Sequence, residues 1–160
     1  MRGKAATGGF TLVELMIVIA LIAIVAMIAM PNFTDMIERN RLQSQAEELR
    51  SFLLYARGEA VTLKSTITVE TDDADPWVIE RDGTAIRKLE HNPELVTIRS
   101  SGETITFRSN GTATAATFTV CHDDDPTRGY FLEIQASGAT SLYLQGEKDA
   151  NHTALDSCTL

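Results

Sequence analysis

Every residue from Leu15 to Met30 is apolar, in the order LMIVIALIAIVAMIAM, and a glutamate, Glu14, stands directly in front of the run. No other stretch restricts the chain so strongly. With Phe10, Leu12 and Val13 the apolar stretch spans 21 residues, interrupted by Thr11 and Glu14, and no Pro or Gly breaks it before Pro31. A bilayer core of about 30 Å is crossed by roughly 20 such residues in a helix, so length alone makes the stretch a membrane-spanning candidate. Arg2 and Lys4 precede it and no acidic residue does. The positive-inside rule therefore keeps the N-terminus cytoplasmic and exports the remainder.

Two details set this segment apart from a secretory signal. Such a signal carries its small-residue cleavage site after the apolar core, whereas here Gly8 and Gly9 come before it. Cleavage at those glycines would leave the apolar segment on the mature protein. The other detail is Glu14. A carboxylate on a membrane helix costs about 2.5–3.5 kcal/mol at the centre and less near the interface, and such charges are usually paired and functional.

The remaining length, out of 160 residues, suits one compact domain joined to one long helix. The formal charge is −8. Removing residues 1–9 takes Arg2 and Lys4 from the 14 basic residues, leaving 12 against 22 acidic, or −10. That acidity argues against a nucleic-acid footprint, which needs a basic face.

After Pro31 the chain is rich in helix formers. Leu42, Ala46, Leu49, Leu53, Ala56, Ala60 and Leu63 recur every three or four residues, a single apolar stripe. Arg41, Glu47, Glu48, Arg50 and Glu59 fall opposite it. The stripe is expected to pack on a sheet. A helix unbroken from about Thr11 to Leu63 would be roughly 80 Å long. From Thr66 the pattern turns to short β-rich runs: ITVE, WVIE, LVTI, TITF, TFTVC, YFLEI and SLYL. Asp82-Gly83, Ser101-Gly102, Asn110-Gly111 and Ser137-Gly138 mark turns between them. The expected fold class is α+β, a long N-terminal helix packed on antiparallel sheet, in one sheet or two.

The chain has two cysteines, Cys121 and Cys158. An even count in an exported domain favours a disulfide over two buried thiols. The polar tail after Gln145 has little else in its sequence to hold it. Closing such a loop is worth roughly 3–4 kcal/mol in the chain-entropy model. Little else suggests chemistry. His91, His122 and His152 lack an i,i+4 pairing or a metalloprotease context, and are expected to be structural or on the surface. The run Asp123-Asp124-Asp125 lacks the alternating ligands and Gly of a calcium loop, and reads as a solvated loop. No spacing of Ser, His and Asp singles out a triad, and no Gly-rich loop suits a phosphate. No catalytic residue, metal or cofactor is expected.

Gly9, Phe10, Thr11, Leu12, Val13 and Glu14, followed by the apolar run, resemble without departure the type III signal of type IV pilins and type II secretion pseudopilins. The resemblance implies that a prepilin peptidase cuts between Gly9 and Phe10 and methylates the new amine of Phe10. It implies that Glu14 pairs with the N-terminal amine of a neighbouring subunit; a buried carboxylate and ammonium compensate each other only at close range. It also implies that Pro31 lies within a continuing helix, which it kinks or loosens. Residues 1–9 would then be a cleaved leader, 10–31 a membrane-anchoring helix half and 32–160 a soluble head domain.

The later run ITFRSNGTATAATFTVCHDDDPTRGYFLEIQASGAT resembles the C-terminal half of the GspH/FimT group, and ERNRLQSQAEELRSFLLYARGEAV resembles the helix of FimT- and FimU-type minor pilins. The likeness is weakest from Asp72 to Asn92. DNA-binding members of the group carry a Gly-Arg-x-Arg motif, where this chain has Gly138-Ala139-Thr140-Ser141, with neither arginine. DNA binding is therefore not expected. The resemblance implies a structural minor pilin that helps prime assembly of a type IV pilus and joins it, at the tip. The alternative is a GspH-like minor pseudopilin of a type II secretion system; a FimT-like DNA receptor for transformation ranks lower. The implied partners are other minor pilins, a major pilin, the inner-membrane assembly platform, the prepilin peptidase and membrane lipid. The implied location is the inner membrane, crossed once with the head periplasmic, and afterwards the filament.

Overall fold

The computed structural model describes residues 9–71 and 76–160, except for the side chains of residues 28–32. Arg2, Lys4, Gly8 and the rest of the expected leader before Gly9 lie outside the described residues, as does the side chain of Pro31. One helix, α1, runs Leu12–Leu63. Thr11 starts it. Its Oγ1 accepts the N–H of Glu14 at 3.2 Å, and its carbonyl accepts the N–H of Leu15 at 3.2 Å, the first rung of the helix. This is an N-cap, which satisfies donors that the first turn leaves without partners. The far end closes with Lys64 in the left-handed region, φ 51°, and the Ser65 N–H returning to the Ala60 carbonyl at 3.2 Å. That pattern is a Schellman stop, here made without the usual glycine.

The chain divides into a unit ending at Glu38 and a larger one, Arg39–Leu160. In the first, the large apolar side chains of α1 are exposed from Leu12 through Met27, and again at Phe33, Met36 and Ile37. Among the described residues no helix is long and apolar enough to cross a membrane.

The larger unit has one hydrophobic core. Leu42, Ala46, Leu49, Leu53, Ala56 and Ala60 all enter it, as the stripe required, and Phe52 joins them. Leu63 does not; it is 42% exposed, because the helix stops there and the chain turns away at Lys64. The strands are β1 Ile67–Glu70, β2 Trp77–Arg81, β3 Thr84–Leu89, β4 Thr97–Ser100, β5 Thr104–Phe107, β6 Ala116–Cys121, β7 Tyr130–Ile134 and β8 Thr140–Leu142. They form two antiparallel four-stranded sheets, ordered β3-β2-β1-β5 and β4-β6-β7-β8. The sheets share the core: the rings of Trp77 on β2 and Phe118 on β6 lie 5.7 Å apart.

Alternation finds seven of these strands and misses β3. Five of its six residues, Thr84 to Lys88, are exposed, so it has no buried face to reveal a period of two. It is an edge strand, joined to β2 through Asp82 and Gly83, both at positive φ, with Arg81 and Thr84 paired across the turn. Such a turn favours Asp-Gly because both central residues need φ above zero. A register shift near Ile79 and Glu80 disturbs the pairing further. β4 begins two residues later than LVTI implied, since Leu95 and Val96 both donate to the Asn92 carbonyl in a turn.

Two glycine turns are clamped by the helix. The Arg57 Nε donates to the Gly111 carbonyl at 3.0 Å, and its terminal nitrogen donates to the Ser137 carbonyl at 3.3 Å. Gly138, at φ +80°, packs so closely that a Cβ there would stand 2.0 Å from the Gly111 carbonyl oxygen. The two turns flagged in the sequence are therefore one joint.

Cys121 and Cys158 form a disulfide. The tail has more to hold it than its sequence suggested. The buried Thr119 Oγ1 donates to the Cys158 carbonyl at 2.7 Å, and Arg99 donates to the same oxygen at 3.2 Å. Leu155 is buried, its N–H bonds to the Gly146 carbonyl, and Glu147 pairs with Ala154. This cover explains why β6 is buried on nearly every residue rather than on alternate ones.

Candidate processing and assembly site

The residues singled out at the N-terminus come together by adjacency alone. Gly9 and Phe10 precede the helix, and Phe10 is 81% exposed. With Thr11 as N-cap, Leu12, Val13 and Glu14 occupy the first three helical positions. Thr11 and Glu14 thus have the spacing of a capping box, which the sequence displays as Thr-x-x-Glu and which could have marked the helix start. Glu14 is exposed in the first turn, where the aligned peptide dipoles favour a negative charge. Phe10, Leu12, Leu15 and Val18 line an apolar hollow on this end of the helix.

In the head, the segment standing where DNA-binding members carry their two arginines has Ala139 and Ser141 instead. Gly138 is committed to the Arg57 joint, and Ser141 on β8 stands directly opposite Glu133 on β7. That carboxylate accepts from Tyr143 Oη at 2.9 Å and raises the phenol's pKa.

Asp123 and Asp124 are exposed, as a solvated loop requires, and the acidic run is also tied down locally. Asp123 and Asp124 are both in the left-handed region. Asp124 accepts from Arg99 at 2.6 Å, which holds its carboxyl below the usual range. Asp125 accepts from the side chain and backbone of Thr127 and also from Arg128; the Thr127 bonds do most to lower its pKa. Among the described residues no cluster of three metal-ligating side chains occurs. Each histidine has a local place. His122 Nδ1 donates to the Leu95 carbonyl at 2.8 Å, and His152 Nδ1 lies 2.8 Å from Glu147. His91 is half-buried beside Trp77 and Pro93, and burial lowers its pKa.

A helix that leaves its apolar first half uncovered, ahead of an α+β head, defines the type IV pilin-like class. Comparison with known proteins refines this. Residues 4–30 match the prokaryotic N-terminal methylation motif, and residues 45–138 match the family described as type II transport protein GspH. The chain belongs to this GspH family of type IV pilin-like proteins. Two crystal forms of the type IV minor pilin FimU of Pseudomonas aeruginosa are similar. One shares 30% identity over 73% of this chain and 99% of that one, with a TM-score of 0.60. The other shares 31% over 76% and 97%, with a TM-score of 0.59. The minor pseudopilin EpsH of the Vibrio cholerae type 2 secretion system has the same fold at 18% identity, covering 66% of this chain and 98% of its own, with a TM-score of 0.53. No curated protein matches the chain at significant similarity. The family is structural, one of pilins and pseudopilins.

Proposed function

We propose that the chain is a structural minor pilin. It is cut between Gly9 and Phe10 and methylated on the new Phe10 amine. It is held in the inner membrane by residues 10–31 with residues 32–160 as a periplasmic head, and is then taken into a type IV pilus at its tip, where it helps prime assembly. The observation that carries this reading is the pairing of the methylation motif with 30% identity to FimU over nearly all of the crystallised FimU chain. The exposed apolar half of α1 supports it, because that surface lacks a partner within the described residues of its own chain. Glu14 is the residue assigned to the neighbour's N-terminal amine.

The second reading, a minor pseudopilin of a type II secretion system, is favoured by the family's own description and by the EpsH fold. A DNA receptor is disfavoured by Ala139 and Ser141 and by Glu133 opposite the latter.

N-terminal sequencing of membrane-purified protein, with Glu14→Ala as the sole copy, tests the proposal. Mature protein should begin at Phe10. The variant should insert normally, since an unfavourable charge is gone, but enter filaments poorly. A start at Met1, or beyond Met30, would overturn the processing reading. Deleting the gene should abolish pili and spare type II secretion; the reverse result favours the pseudopilin.

A further inference from the structure

Where a helix begins decides whether a peptide bond just ahead of it can be cut. A hydrolase attacks a carbonyl held in exposed, non-helical backbone; a carbonyl already accepting a helical hydrogen bond is turned along the helix and shielded. Here the first helical carbonyl is that of Thr11, which accepts from Leu15. The Thr11 hydroxyl holds the start there by accepting from Glu14. Gly9 and Phe10 remain outside, and among the described residues a Cβ built on Gly9 would meet nothing within 4 Å.

The nearest competing start is two residues upstream. Glycine is itself a fair N-cap, ranking close to threonine and well above alanine or leucine. If Thr11 lost its capping oxygen, Gly9 would become the better cap. Phe10 would then take the first helical position, and the Gly9 carbonyl would accept from Val13. That is the carbonyl of the bond expected to break. Lipid would reinforce the slip, because backbone donors without partners are costly near an apolar phase.

We propose that Thr11 is a positioning residue for processing: by capping α1 it keeps the Gly9–Phe10 bond out of the helix. This rests on the reading that a prepilin peptidase cuts there. Water adds to the Gly9 carbonyl carbon, the carbon–nitrogen bond breaks, the leader leaves with the new carboxylate, and Phe10 keeps the amine and takes up the proton. Thr11 touches none of these atoms.

The test is a cleavage time course on the full-length chain in membranes carrying a prepilin peptidase, with the product's N-terminus sequenced. Thr11→Ala and Thr11→Leu should be cut about fivefold more slowly, the factor to which loss of an N-cap corresponds. Thr11→Ser and Thr11→Asn should be cut at the wild-type rate, because both cap. Carbonate-resistant membrane retention and the Cys121–Cys158 bond should be unchanged in all four, which separates slow cutting from failure to insert or fold. Wild-type protein left uncut at Gly9–Phe10 would remove the processing reading. Wild-type protein cut at that bond, with Thr11→Ala and Thr11→Leu cut just as fast as wild type, would overturn the capping role alone. So would rescue by Ser but not Asn, which would mean that the hydroxyl is recognised directly.

Discussion

Leu15 and Leu53 belong to the same helix and meet opposite fates. Leu15 is 58% exposed and Leu53 is fully buried. Helix propensity does not distinguish them. Their surroundings on the helix surface do. Around Leu53 the apolar residues form a stripe with charges behind it, so one face docks on the sheets and the other meets water, the ordinary condition of an amphipathic helix. Around Leu15 every side of the helix is apolar apart from Glu14. No face is left for water, so no docking on one side could satisfy it. Such a segment needs surroundings that the chain cannot supply from a single sheet. This is the physical basis for assigning it to lipid first and to other subunits afterwards.

The sharpest way to break that comparison is to separate the two regions. A chain beginning at Asn32 should leave the membrane completely, yet fold with the same Cys121–Cys158 bond and unfold cooperatively. The core residues it needs all lie from Leu42 onward. Fractionation with non-reducing mass spectrometry and thermal unfolding would measure both halves of this statement. A fragment still retained on membranes would mean that the head itself holds to them, and one that fails to fold would mean that the first half of α1 supports the head after all.

A smaller effect lies within the head. The disulfide closes a separation of 37 residues, for which the chain-entropy model gives about 3–4 kcal/mol. Cys158→Ser should therefore cost about 3 kcal/mol in denaturant unfolding without changing the sheets. Amide exchange should rise first at Leu155 and its neighbours. The loss is expected to stay partial locally, because Thr119 and Arg99 still reach the residue-158 carbonyl. A variant whose β1 and β2 amides exchange as fast as its tail would show that the bond supports the whole head.

Much of this was legible in the sequence, and the failures share a cause. The apolar run, the helical stripe and the strands with a buried face announce themselves, because burial imposes a period on the residues. β3 escaped because it buries only Leu89, although Asp82-Gly83 pointed to a second arm for its hairpin. The Arg57 joint escaped because its acceptors are the carbonyls of Gly111 and Ser137, which any sequence supplies. The tail's attachment escaped for the same reason: Thr119 bonds to the backbone of Cys158 rather than to a side chain. At the N-terminus the helix start near Thr11 was expected and holds, but not its cause, the capping spacing Thr-x-x-Glu, since the same two residues belong to the family motif.

The smallest expected effect again contrasts the tail with the strands. Asp149 accepts from the Asn151 and Thr153 amides at 2.8 and 3.0 Å, and hydrogen bonds from Thr153 are the main cause of its lowered pKa. A depressed carboxyl pKa means that the folded state favours the charged form more than the unfolded chain does. The stabilisation is therefore complete above the ordinary value of 3.8 and disappears as pH falls through the lowered one. Because the group is exposed, the effect should be local, a loosening of the turn at residues 149–153 and not an unfolding of the sheets. Following the Asn151 and Thr153 amide signals by NMR in the head fragment should give a shared midpoint below 3.8, while the β6 and β7 amides hold still. Asp149→Asn should remove that midpoint. A midpoint at or above 3.8 would mean that these bonds do not favour the charged carboxylate, and the tail would then owe its order to Leu155 and the disulfide.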